Sequence, residues 1–202
     1  MTLKERVTLN TSEYGFMPWP QRLAHFRAFG FRFLEVGTLP KVSDAKFREF
    51  LKLIQDGSME IVAMHDWYGF FSAKTEQEKQ DARRRFQSNI ARTAQAGAKN
   101  LIWYTRDNPT LHGLQAVDDL LLRLEPLLAQ AAKAEVNLLL ENEFSSQGDD
   151  PAALVELVLE LLRRAAHPRL AVNFDPGNIY TAGEEPFPWA YQILKPWIKR
   201  WT

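Results

Sequence analysis

The chain has 202 residues, 46% hydrophobic and 25% charged, enough to bury one sizeable core without a metal or disulfide staple. Its 25 basic and 25 acidic residues cancel, so there is no net field to hold a polyanion, and nucleic acid and anionic membranes are poor partners. No cysteine is present, which removes disulfides, thiolate ligands and a cysteine nucleophile. The charged N-terminal stretch around Lys4, Glu5 and Arg6 cannot be a signal peptide, no run reaches membrane-spanning length, and the expected setting is soluble and cytoplasmic.

Six short apolar runs alternate with longer segments of helical period, the pattern of repeated βα units on a parallel sheet. The first run, Arg6 to Leu9, leads to a helix opened by Pro18 and Pro20 that carries Leu23, Phe26 and Arg27 and stops at Gly30. The second, Phe31 to Val36, is followed by a helix that starts at Ser43, buries Phe47, Phe50, Leu51 and Ile54, and stops at Gly57. The third, Glu60 to His65, precedes a charged helix from Thr75 to Ala96 with Phe86, Ile90 and Ala94 facing the sheet. After the fourth run, Asn100 to Tyr104, comes a stripe of Val117, Leu120, Leu121, Leu124, Leu127 and Leu128 with Pro126 inside it, which predicts a kink near Leu122. The fifth, Val136 to Glu141, leads to a helix capped by Asp150 and Pro151 that packs Leu154, Leu157, Val158, Leu161 and Leu162. The sixth, Leu170 to Phe174, is followed by a last helix expected from near Pro188 into Trp201.

Units of roughly 30 to 35 residues fit either an open doubly wound sheet or a (β/α) barrel. The loop after the first run has one glycine, Gly15, where a dinucleotide-binding sheet needs a Gly-rich phosphate loop, so the barrel is favoured. The expectation is therefore an α/β fold of the (β/α) TIM-barrel type, one domain over 1–202, incomplete with about six βα units and truncated before a seventh strand.

In such folds sites form at the carboxyl ends of the strands. The polar residues there are Asn10, Glu35, His65 with Asp66, Arg106 with Asp107, Glu141 with Asn142 and Glu143, and Asp175 with Asn178. Oxygen donors gathered with one imidazole suit a hard or borderline divalent cation. Glu141 ends a buried run, a costly place for a charge unless a cation or hydrogen bonds receive it; it is either a metal ligand or a carboxylate that caps the next turn or pairs with an arginine. Asp175 opens Asp-Pro-Gly-Asn, which is either a ligand-bearing loop with Asn178 turned back to the site or a plain turn. His65 can ligate metal, donate to a substrate hydroxyl or bond a loop carbonyl. Trp67, Tyr68, Phe70 and Phe71 can wall a small ligand or plug the barrel mouth, and His25, His112 and His167 lie away from that mouth.

With Leu140-Glu141-Asn142-Glu143 and Phe174-Asp175-Pro176-Gly177-Asn178-Ile179-Tyr180 both in place, the sequence resembles the sugar phosphate isomerase/epimerase family, the xylose isomerase-like TIM barrels. The likeness extends to Phe33-Leu34-Glu35-Val36-Gly37, to Met64-His65-Asp66 and to Leu194-Lys195-Pro196-Trp197-Ile198. It implies a metal-dependent isomerase or epimerase of a sugar or sugar phosphate, acting by proton transfer next to a carbonyl. It implies a divalent cation (Mn, Mg, Co or Zn) on Glu141 and Asp175, with Glu141 also catalytic. His65, Asn178, Glu143, Asn10 and Trp67 are then expected on the substrate side. A His and a Glu from the family's last two strands have no counterpart in this sequence, which implies weak metal binding and doubtful activity unless a homo-oligomer covers the open barrel edges. Two other readings compete: an inactive barrel kept for binding, and a related metal-dependent hydrolase or endonuclease. The latter wants further histidines, where this sequence has Trp103-Tyr104-Thr105-Arg106.

Overall fold

Seven short strands pair side by side in chain order, every neighbouring pair parallel, and helices cover one face. The structure is a computed structural model that describes residues 7–11, 17–37, 39, 42–66, 73, 75–104, 113–142 and 154–201. The strands are β1 (Thr8–Asn10), β2 (Phe33–Gly37), β3 (Glu60–Asp66), β4 (Asn100–Trp103), β5 (Asn137–Glu141), β6 (Leu170–Phe174) and β7 (Ile198–Trp201). This is an incomplete TIM-type barrel, and β1 and β7 are the edges of its sheet.

The helices are α1 (Trp19–Ala28), α2 (Asp44–Asp56), α3 (Glu76–Gln95), α4 (Gly113–Lys133), α5 (Leu154–Ala165), α6 (Pro176–Thr181) and α7 (Tyr191–Leu194). Their starts follow from local chemistry. The Ser43 hydroxyl accepts the Lys46 amide at the head of α2, and Thr75 and Glu78 form a reciprocal capping box at the head of α3. α4 runs through Pro126; the carbonyl that proline leaves without its helical donor belongs to Leu122, a residue 75% exposed, where water can take the place of the lost bond. The expected Asp150–Pro151 cap of α5 falls outside the described residues.

Strand period two sorts side chains into two layers. Leu34, Val36, Leu101, Trp103, Leu138, Leu140, Val172 and Phe174 face the helices and are almost fully buried against Phe26, Phe47, Phe86, Leu124 and their neighbours. On the opposite, inner face Ala63, Ile102, Tyr104, Leu139 and Ala171 form a second, smaller cluster. Two register slips keep this sorting in phase. The β2–β3 pairing passes from Leu34↔Ile61 to Glu35↔Ala63, skipping Val62, and the β6–β7 pairing passes from Val172↔Ile198 to Asn173↔Arg200, skipping Lys199.

One expectation is corrected here. The sequence does not stop short of a seventh strand, and no helix runs from Pro188 into Trp201. With Phe187 extended, the chain turns at Pro186–Ala190 into the single turn of α7 and a 3-10 turn at Lys195–Trp197, after which Ile198–Trp201 pairs with β6. Pro196 has no amide to continue the helix. Trp201 then packs on Phe174, with ring centroids 5.0 Å apart, and stacks on Phe187 at 5.9 Å, so that aromatic contact holds the strand down.

Candidate active site

Two groups of polar side chains stand on the inner face, each fixed by the strands that carry it. The first spans β1, β2, β3 and β7. Glu35 on β2 is 4% exposed, and its two carboxylate oxygens receive different partners: Oε1 takes the Asn10 amide at 3.1 Å and lies against His65 Nε2, while Oε2 pairs with the Arg200 guanidinium. The other ring nitrogen of His65, Nδ1, is 2.8 Å from the hydroxyl of Tyr104, just past the end of β4. Arg200 also donates to the Thr8 hydroxyl at 2.9 Å, so one side chain crosses from the edge strand β7 to the edge strand β1. The slip at Lys199 makes this possible, because it turns Arg200 inward while Ile198 and Trp201 face the helices.

Burial by itself raises the Glu35 pKa, but the hydrogen bond and charge of His65 and the charge and hydrogen bond of Arg200 outweigh it, and the carboxyl is held below its ordinary value. Glu35 is thus an anion at neutral pH and accepts only. The proton in the Glu35–His65 contact therefore sits on His65 Nε2, an assignment that follows from the partner. In the neutral form of the ring, Nδ1 would accept from the Tyr104 hydroxyl.

The second group belongs to β5 and β6. Glu141, the last residue of β5, is 7% exposed and its Oε2 accepts the Asn173 amide at 2.7 Å. Asp175 follows β6 directly, and the fully buried Asn142 side chain clamps it by donating to the Asp175 carbonyl at 2.7 Å and accepting its amide at 2.9 Å. Asp175 Oδ1 accepts the Asn178 backbone amide at 3.0 Å as the N-cap of α6, and no hydrogen bond among the described residues engages Oδ2. A Cβ placed on Gly177 would come within 3.1 Å of Asp175 Oδ1, so glycine keeps the carboxylate where it is.

Asn10 and His65 therefore belong to the first group, and Glu141, Asp175 and Asn178 to the second; Asn178 enters through its backbone amide. Glu143 and Trp67 lie outside the described residues. Sequence reasoning missed Tyr104, Asn173 and Arg200. The available signal was parity: Asn173 is two residues before Asp175, and Tyr104 two after the inward Ile102. As donors, Glu141 and Asp175 fit a hard divalent cation. Among the described residues no set of three His, Asp or Glu comes together that could hold a metal alone, so these two would supply part of a coordination shell. No helix among the described residues is long and apolar enough to cross a membrane.

The family described as xylose isomerase-like TIM barrel matches residues 23–199. A xylose isomerase-like TIM barrel protein from Mycobacterium smegmatis, solved in complex with magnesium, superposes with a TM-score of 0.77 at 16% identity, over 100% of this chain and 76% of that one. The 3-keto-D-glucoside 4-epimerase from E. coli gives 0.75 at 12% identity, over 93% of this chain and 74% of its own. The probable 3-DHS dehydratase AsbF from Bacillus anthracis gives 0.74 at 20% identity, covering 96% and 71%. Identities this low carry the fold alone. No curated protein matches the chain at a significant level.

Proposed function

Because this chain belongs to the xylose isomerase-like TIM barrel family, we propose that it is a divalent-metal-dependent isomerase or epimerase of a sugar or sugar phosphate, working by proton transfer next to a carbonyl. The observation that carries this reading is the pair of carboxylates, Glu141 and Asp175, ending adjacent parallel strands and each aimed by an amide. In this reading both hold the cation (Mn, Mg, Co or Zn), and Glu141 also serves as the base that removes the proton. The cation, when bound, polarises the substrate oxygens and so acidifies the neighbouring C–H. Asn173 fixes the Glu141 carboxylate and Asn142 the Asp175 backbone, the role that groups behind metal ligands play generally. Asn10, His65, Asn178, Glu143 and Trp67 serve the substrate side. The small-molecule, non-membrane, cytoplasmic setting rests on balanced charge and the lack of cysteine. In this reading a homo-oligomer covers the edge strands β1 and β7.

The test is a manganese titration by calorimetry on the purified chain, with its mass in solution measured in the same buffer, followed by a screen of ketoses and their epimers. Binding that disappears in Glu141→Ala, together with turnover of at least one sugar, is the expected result. Identical calorimetric traces for the two proteins would remove the metal site, and a monomer would remove the oligomer.

A further inference from the structure

Isomerisation and epimerisation move protons on oxygen as well as on carbon: a hydroxyl that becomes a carbonyl must lose its proton, and the reverse step returns it. In the proposed reading the carboxylates of β5 and β6 serve carbon and metal, and a second group is wanted that can exchange a hydroxyl proton with a buried acceptor. The β2–β4 side offers one. Glu35, His65 and Tyr104 are 4%, 1% and 5% exposed and stand in one hydrogen-bonded line, carboxylate to Nε2, Nδ1 to phenol. The two rings lie near-parallel, 25° between planes, with centroids 6.0 Å apart. Of the three, Tyr104 stands nearest the mouth. It comes directly after Trp103, which pairs with Leu140, so along the strands it stands level with Glu141 on the neighbouring strand.

We propose that these three residues form a proton relay whose outer end, the Tyr104 hydroxyl, exchanges a proton with a hydroxyl of a polyol substrate held beside Glu141. In the forward step the substrate O–H gives its proton to the Tyr104 oxygen as the phenolic proton passes to His65 Nδ1. The O–H electron pair stays on the substrate oxygen, which becomes an alkoxide, and His65 becomes an imidazolium whose Nε2–H remains on the Glu35 carboxylate. The reverse step restores every group. Glu35 stays ionised throughout; its part is to fix the tautomer and stabilise the imidazolium, as a buried carboxylate does for histidine in hydroxyl-activating triads. Tyr104 is thus the catalytic residue, and His65 and Glu35 act through it as positioning residues. Arg200 holds the other oxygen of the carboxylate, Oε2, and Asn10 donates to the same Oε1 that faces His65.

This inference deepens the isomerase/epimerase reading and rests on it for the substrate, but its core is a tautomer that needs no substrate. The experiment is ring-nitrogen NMR of histidine-labelled protein, with His65 assigned through His65→Gln, combined with kinetics of Tyr104→Phe and Glu35→Gln on ketoses with magnesium present. The expected result is a neutral His65 protonated on Nε2, a shifted Nδ1 resonance in Tyr104→Phe, and a kcat lowered roughly 10²-fold in that variant with KM nearly unchanged. Protonation on Nδ1 in the wild-type protein overturns the relay, as does an unchanged kcat, or a rise in KM alone, in Tyr104→Phe. If the wild-type protein turns over no sugar, the isomerase reading falls while the ring tautomer still decides the relay: Nε2–H retains it and Nδ1–H ends it.

Discussion

The two halves of the barrel interior handle buried carboxylate in opposite ways. On the β1–β3 and β7 side, Glu35 is met by a guanidinium and an imidazole, and the charge is balanced within the protein. On the β5–β6 side, Glu141 and Asp175 each accept from an amide, the Asn173 side chain and the Asn178 backbone respectively. The first arrangement pairs its carboxylate with cationic and imidazole groups; the second is the one to which the proposed function assigns the cation. Glu35 stands lower in the barrel, level through the strand pairing with Ala63, Asn100 and Asn137, whereas Glu141 closes β5, and the chemistry of each carboxylate follows from the partners it meets at its own level.

The largest test of this contrast is Glu35→Ala. Removing the carboxylate leaves Arg200 and His65 facing an unfilled interior, and the expected loss is about 3–5 kcal/mol, read as a lower urea midpoint with little change in slope. The sign with pH follows from the depressed Glu35 pKa. The stabilisation is present above the carboxyl's ordinary, unfolded value and is lost as pH falls below that range through the lower folded value. Urea melts of the wild-type protein should therefore weaken in that acid window, and the same limb should flatten in Glu35→Gln.

On the other side the same operation should act on metal affinity. Asn173→Ala removes the amide that aims Glu141 and is expected to weaken manganese binding by roughly 10–100-fold in calorimetry, while thermal unfolding without metal changes far less than in Glu35→Ala. Equal destabilisation by the two substitutions would erase the contrast. The smallest effect belongs to Gly177→Ala, whose new Cβ would press on Asp175 Oδ1 from 3.1 Å. A several-fold weaker metal affinity with stability altered by less than about 1 kcal/mol is the expected outcome, since the carboxylate can give way by a few tenths of an ångström.

The parts of the fold that could be read from sequence were those where one local signal dominates. Six strands show as apolar runs; β2 to β6 do so because most of their residues are buried, β6 along its whole length, while β1 is half-buried. β7 did not show. Leu194, Trp197, Ile198 and Trp201 fall at i, i+3, i+4 and i+7, a helical stripe, and Lys199 and Arg200 interrupt the apolar run expected of a buried strand. Pro196 was the contrary signal, outweighed by the period. Within the site, Glu141 and Asp175 could be picked out because a carboxylate closing an apolar run is unusual in itself. Tyr104, Asn173 and Arg200 have no such mark. Their significance comes from facing inward at matching levels of neighbouring strands, which depends on pairing register and on the slip at Lys199.

The bond from Arg200 to Thr8 joins residues 192 positions apart in the chain. Closing so long a loop has an entropic cost that local contacts cannot offset early, so this link belongs to the last stage of folding, after the intervening strands have docked. Interactions that form after the transition state govern how fast a protein comes apart and leave the speed of its assembly almost untouched. The guanidinium that crosses from β7 to β1 is therefore expected to act as a brake on unfolding, so that Arg200→Ala should speed unfolding more than it slows refolding.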